Sequence, residues 1–186
     1  MKVAFVTGNQ GKWEIARDIF AKYGVDLTQA KMETPEIQSL DVKEVALYSA
    51  QYAAQKLQMP VIKSDVGYYI PALNNFPGPF IKYVNQTLSS QDLLRLMDGK
   101  EDRSMIIREC LAFAHPNGFH HLFVHEQNTT LAKQEDGNGS SIDKIMILEG
   151  FSKTRGASDP QKVAEFWKKS LKLYHDAALF VQKPVV

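Results

Sequence analysis

Hydrophobic positions along the chain change period several times, and each change marks an element. Lys2 to Thr7 is β-branched and strand-like. Gly8-Asn9-Gln10-Gly11 interrupts it, and Trp13, Ala16, Ile19, Phe20 and Tyr23 then recur at helical spacing. Gly24 stands where a helix terminator belongs, and Val25 to Ala30 returns as a second strand, so the chain opens with a β-α-β unit. Asp41 with Glu44 three residues on predicts a capping box, with Asp in place of the usual Ser or Thr. The helix behind it carries Val42, Val45, Ala46, Ala50, Ala53 and Leu57 as one apolar stripe and ends before Pro60. Val61 to Ser64 reads as a short third strand with Asp65 at its end, followed by Gly67 and the β-prone Tyr68-Tyr69-Ile70.

The dense turn segment Asn74-Asn75-Phe76-Pro77-Gly78-Pro79 is the expected waist between two lobes, and a helix-rich stretch follows it to Asp98-Gly99. Ser104 to Ala114 and Phe119 to His125 predict two strands joined through Pro116-Asn117-Gly118. A polar loop over Glu135 to Ser141 precedes Ile145 to Leu148, a last buried strand. Asp159-Pro160 then opens a terminal helix whose inner face is Val163, Phe166, Trp167, Ser170, Leu171, Tyr174 and Ala178.

Composition narrows the class. The 186 residues are 44% hydrophobic and 23% charged, which suits a packed domain and excludes a disordered chain. Lys and Arg total 22 against 21 Asp and Glu, so no field draws the whole surface to a nucleic acid polymer, and a nucleotide-sized anion needs a local constellation. No run approaches the ~18 apolar residues of a membrane span. The single Cys110 cannot close a disulfide within the chain and fits a reducing, cytoplasmic setting. His121 and His125 share a strand face at even spacing, but no Cys or carboxylate spacing supports a metal there, and they read as exposed strand residues.

Three segments can carry chemistry. Thr7-Gly8-Asn9-Gln10-Gly11-Lys12 is a loop between strand and helix. It reads equally as a plain β-α turn or as a phosphate cradle built from backbone N–H groups and the Lys12 ammonium. It is not a Walker A loop, because Val6 and Trp13 stand where that motif needs Gly and Ser or Thr. Glu36 and Asp65 are separated carboxylates of the kind that hold Mg²⁺ with waters and substrate phosphates, although either acid alone is more commonly a solvated loop residue or cap. Pro77-Gly78-Pro79-Phe80-Ile81-Lys82-Tyr83 aims Lys82 from rigid turn residues; alone, it is a surface lysine.

In combination these motifs resemble the Ham1 family of inosine triphosphate pyrophosphatases. The likeness runs through Val3-Ala4-Phe5-Val6-Thr7-Gly8-Asn9 with Lys12, Pro35-Glu36-Ile37-Gln38, Ser64-Asp65-Val66-Gly67, Ala72-Leu73-Asn74 and Pro77 to Tyr83, and continues in Ile142-Asp143, Glu149-Gly150-Phe151 and Lys153-Thr154. The resemblance implies an α/β fold with a central mixed sheet flanked by helices, an elongated ITPase-like, anticodon-binding-like architecture. One domain over 1–186 would have two lobes with the active-site cleft between them. It also implies a homodimer and Mg²⁺-dependent hydrolysis of a noncanonical purine nucleoside triphosphate to the monophosphate and pyrophosphate. Carried over, Thr7, Gly8, Asn9 and Lys12 would grip the triphosphate and Lys82 would help neutralise it. Glu36 and Asp65 would hold Mg²⁺, Asp65 would activate water, and Asp143 would meet the base.

The departures from the family pattern cluster. Ser64 and Val66 replace an expected Glu and an expected Ser or Thr. Ser140-Ser141-Ile142-Asp143 keeps the acid of the base-holding segment and loses its stacking ring. The family's Ser-His-Arg motif falls on Phe166-Trp167-Lys168, and Lys162 matches a substrate lysine only across a small gap. Trp167 reads as core on its apolar stripe, with stacking on the base as the alternative; Lys168, Lys169 and Lys172 read as a solvated face. These changes leave open a catalytically weakened or inactive nucleotide-binding paralogue, or a pyrophosphatase with altered base specificity, including one for a modified pyrimidine triphosphate.

Overall fold

The computed structural model describes residues 2–182, so the expected single domain over 1–186 extends at both ends outside them. The fold is α/β, with the order β1 (Lys2–Val6), α1 (Gln10–Lys22), β2 (Asp26–Ala30), α2 (Val42–Leu57), β3 (Val61–Ile70), β4 (Phe76–Gly78), α3 (Ile81–Thr87) and α4 (Ser90–Leu96). There follow β5 (Ser104–Ala114), β6 (His120–Leu131), β7 (Met146–Leu148), α5 (Pro160–Trp167) and α6 (Leu171–Gln182). The strands form one mixed sheet in the order β2-β1-β3-β5-β6-β7, with β4 paired to β3. β1 runs parallel to β2 and β3, while β4 on β3 and β7 on β6 are antiparallel.

Contacts divide the described residues into two compact units, the first drawn from residues 2–65, 109–125 and 170–182, the second from Val66–Arg108 and Glu126–Lys169. The expected waist at Asn74–Pro79 is therefore corrected: that segment lies inside the second unit as the β3-β4 turn, and the chain changes unit within β3, β5 and β6 and again before Ser170.

The first core packs Ala16, Ile19 and Phe20 of α1 and Leu173, Tyr174, Ala177, Ala178 and Val181 of α6 around Val3, Phe5, Ile62, Leu111 and Phe113 of the strands. Buried Val42, Val45, Ala46, Ala50 and Ala53 form the apolar stripe of α2 as expected, but Leu57 at its C-terminal end is exposed. Its N-terminus differs from the expected capping box. Asp41 accepts from the Lys43 N–H at 3.0 Å, but Glu44 reaches Ser39 Oγ, at 2.6 Å, and that hydroxyl receives the Asp41 N–H at 3.0 Å. A serine two residues upstream thus relays what the glutamate would have done directly. His121 lies exposed with its ring stacked on Phe180, 4.6 Å between centroids, in agreement with an exposed strand residue.

The second core gathers Ile70, Ile81, Val84, Leu93, Met97, Met105, Ile107, Leu131, Ile142, Ile145, Met146 and Phe166. The single terminal helix expected from Asp159 is in fact two. Phe166 belongs to this core and Leu173 and Tyr174 to the first, and a 3-10 turn over Lys168–Ser170 rephases the chain between them.

Within the second unit Gly137, at φ +78°, lies directly against Gly156. A Cβ on Gly156 would stand 2.3 Å from the Asn138 carbonyl oxygen, and one on Gly137 would stand 2.1 Å from the Gly156 carbonyl carbon. Asn138 N–H donates to the Gly156 carbonyl at 3.0 Å across this contact. Gly156→Ala is expected to cost about 1–3 kcal/mol, since backbone cannot yield as a side chain would. Gly8→Ala, where nothing lies within 4 Å, is expected to leave stability unchanged or slightly raised. Thermal midpoints of the two variants check the contrast.

Candidate active site

The Thr7–Lys12 segment is only half loop. Asn9 caps α1 by accepting the Lys12 N–H on Oδ1 at 3.0 Å, so Gln10, Gly11 and Lys12 are already the helix's first turn, a correction to the loop expected there. Asn is a strong N-cap and overrides the low helix propensity of Gly11. Thr7 Oγ1 receives the Asn9 N–H at 3.1 Å, and Gln29 Nε2 holds the Thr7 carbonyl at 3.2 Å. Gly8 is exposed, and the amides of Gln10 and Gly11 head a helix whose carbonyls cannot reach them. The arrangement suits an anion.

β3 brings the next group. Asp65 stands mid-strand in a ten-residue β3, not at a strand end as expected, because Val66 to Ile70 continue the strand to pair with β4. β1 supplies the missing edge. Its register, Phe5 opposite Ile62, makes Val6 level with Lys63, so the Thr7 loop begins where Ser64 and Asp65 emerge. Lys12 Nζ donates to Ser64 Oγ at 3.2 Å.

Glu36 sits in the extended segment between β2 and α2, anchored by the buried Ser49 hydroxyl, which donates to the Pro35 carbonyl at 2.9 Å. Lys63 ties the group together. Burial lowers its pKa, the negative charges of Asp65 and Glu36 oppose that, and the positive charge of Lys12 reinforces it. Lys12, Glu36 and Asp65 are therefore all within electrostatic reach of one ammonium. Glu36 and Asp65 offer hard oxygen donors, the set a divalent cation such as Mg²⁺ takes. No group of three or more His, Cys, Asp or Glu that could hold a metal occurs among the described residues, so waters or phosphate oxygens would have to complete the coordination.

On the other side of Ser64 lies a network that sequence reasoning missed. Tyr174 hydrogen-bonds to both Ser64 and Glu109, and Glu109 also to Ser170. Burial raises the Glu109 pKa, while Lys12 and the Ser170 and Tyr174 bonds pull it back. The Tyr174 hydroxyl is raised first by burial and then by the Glu109 charge. A carboxyl thus stands one tyrosine away from Ser64, the position where the family pattern expects its Glu. The signal for it was a charged residue inside the apolar run of β5; Lys63, two residues before Asp65 and hence on its face, was equally visible. Cys110 is buried beside the site and inert, its thiol pushed up to about 12 by burial and then by Asp65.

The second unit holds the remaining sequence candidates. Lys82 is exposed on α3 with its ammonium 5.9 Å from the Tyr83 ring centre. Asp143 pairs with Arg155 and accepts the Ser140 N–H at 3.0 Å. Arg155 in turn lies over the Trp167 ring at 5.7 Å, and Trp167 packs edge-on against buried Phe166, in keeping with its reading as core. Lys162 is exposed and lines an open cavity with Phe151, Lys153 and Asp159. Lys168 pairs with Glu165, and Lys172 with Asp176 at 2.5 Å, so both belong to a solvated face as expected.

The Ham1 family model matches residues 3–169, most of the chain. The chain belongs to the Ham1 family. Among curated relatives of this Ham1 protein, the dITP/XTP pyrophosphatase of Methanopyrus kandleri is 38% identical over 155 residues, 83% of this chain and 82% of the relative. That of Thermococcus kodakarensis is 37% identical, covering 83% of each. A solved Ham1 protein from Coxiella burnetii superposes with a TM-score of 0.82 at 19% identity, covering 98% of this chain and 100% of the other, which supports the fold.

Glu109→Gln tests the buried network. A carboxyl whose pKa is raised on folding contributes stability below its unfolded value, about 4.3, and that contribution is lost as pH rises through the folded value. The expected outcome is a thermal midpoint for Glu109→Gln that gains on wild type as pH rises above about 4.3 and then levels off. A gap between the two proteins that stays constant with pH contradicts the assignment.

Proposed function

We propose that this Ham1 protein hydrolyses noncanonical purine nucleoside triphosphates to the monophosphate and pyrophosphate. One observation carries the reading: Lys12, Glu36 and Asp65 all lie within electrostatic reach of the Lys63 ammonium, at the end of β1 where the N-terminus of α1 begins. The dITP/XTP pyrophosphatase names of relatives at 30–38% identity support the substrate class.

In this reading the first-turn amides of α1, with Thr7, Gly8, Asn9 and Lys12, hold phosphate oxygens, and Lys82 is a further phosphate-binding cation. Glu36 and Asp65 would hold Mg²⁺, whose charge would offset that developing on the phosphoryl oxygens. Asp65 orients a water and takes its proton as the oxygen attacks the α-phosphorus in line. The bond from the α-phosphorus to the α,β-bridging oxygen breaks, and pyrophosphate leaves. Lys12, fixed by Ser64, stays in place while charge shifts along the chain of phosphates, so no reorganisation accompanies the step.

Asp143, Lys162, Trp167 and Lys168 are the proposed base-side residues. An altered base ranking is a second reading, favoured by the Arg155 and Ser140 groups that already engage the Asp143 carboxylate. The chain is read as one Ham1 domain, a homodimer on the family resemblance, acting in the cytoplasm in keeping with its free, buried Cys110. No described helix is long and apolar enough to cross a membrane.

Pyrophosphate release with Mg²⁺ across inosine, xanthosine, standard purine and pyrimidine triphosphates tests the function. Asp65→Asn, near-isosteric but unable to take a proton, is expected to lower turnover at least about 10²-fold with the fold intact. Lys12→Ala is expected chiefly to raise KM. Saturable binding without turnover of any nucleotide would make the protein a non-catalytic binder.

A further inference from the structure

Lys63 has no place in the motifs that led to this site, yet its setting is that of a ligand-binding group. It lies on β3 two residues before Asp65, and successive side chains of a strand alternate, so both project from one face. It is half-buried, level with the last residue of β1, and follows Ile62, which is 1% exposed. Among the described residues its ammonium makes no ion pair within 4 Å and no hydrogen bond, although Asp65 and Glu36 are within electrostatic reach. A lysine ammonium is almost never fully buried without a partner, and desolvating it unpaired is costly. Three N–H donors are therefore held, partly desolvated, beside the N-terminus of α1 and unspent on the protein.

The charges point the same way. Lys12 and Lys63 set two positive charges against the carboxylates of Glu36 and Asp65. Once a divalent cation satisfies the two carboxylates, both ammonium groups are left for an anion. Lys12 has already spent one donor on Ser64, and a triphosphate presents more oxygens than its remaining two can meet.

We propose that Lys63 is a second phosphate-binding lysine, acting with Lys12 on the same triphosphate. The inference rests on the reading of the Lys12 turn as the phosphate cradle. It adds a residue that the family motifs do not contain, and it places a second cation on the same face of β3 as Asp65.

The test is calorimetric binding of inorganic tripolyphosphate in buffer with saturating Mg²⁺, with a metal-free series beside it, to wild type, Lys63→Met, Lys63→Arg and Lys12→Ala, with circular dichroism and thermal midpoints to verify folding. Lys63→Gln repeats the measurement with a polar tip at this half-exposed position. Loss of a charge-assisted contact predicts at least about tenfold weaker binding for Lys63→Met, Lys63→Gln and Lys12→Ala, and near wild-type affinity for Lys63→Arg. Weaker binding in Lys12→Ala alone would overturn the role of Lys63 and leave the cradle standing. Unchanged binding in all variants would overturn the cradle itself. A Lys63→Met protein that binds tripolyphosphate normally but Mg²⁺ more tightly would show that Lys63 only offsets the two carboxylates, and would also overturn the proposal.

Discussion

The alternation of side chains along β3 sorts the charges of this molecule. Lys63 and Asp65 project from one face, within reach of Glu36; Ser64 projects from the other, where it meets Lys12 and Tyr174. A one-residue slip of register would exchange these sets, sending the Asp65 carboxylate toward α6 and the Ser64 hydroxyl to the opposite face. The parallel pairing of Ala4 with Val61 and Phe5 with Ile62 fixes that register, and the side chains that enforce it are among the most buried in the chain. The chemistry is thus positioned by packing several residues away from it.

Much of this was legible in the sequence, for identifiable reasons. The β-α-β opening, the apolar stripe of α2 and the full extent of β5 follow from periodicity, which reports burial directly. Asp65 was misread as a strand end because Gly67 looks like a breaker, whereas it is buried and admits the Tyr69 ring to within 2.7 Å of where its Cβ would be. The terminal helix was misread because both halves share one apolar stripe, and a stripe does not say which core it enters. Thr7, Asn9, Lys12, Glu36 and Asp65 are singled out by motifs.

Glu109, Tyr174 and Lys63 are not, because their meaning depends on neighbours far away in sequence. Tyr174 fits a helix stripe equally well as a core residue or as a hydrogen-bonding one, and only its contact with Ser64 separates the two. Position 64 illustrates the point. Read along the chain, a carboxylate has been lost there; in space, Ser64 links Lys12 to a tyrosine whose other partner is a glutamate. Substitutions at this site therefore have to be judged in three dimensions.

The division of the terminal helix bears on where this domain ends. The match to the family model stops at residue 169, one residue before Ser170 and five before Tyr174, although a solved Ham1 protein superposes over 98% of the chain. Yet α6 supplies Leu173, Ala177, Ala178 and Val181, each 3% exposed or less, to the core that carries β1 and β3. A chain trimmed to the matched span would keep every motif by which the family is recognised and still uncover the sheet face behind the Thr7–Lys12 turn. The border of the family match is not one along which the molecule can be cut.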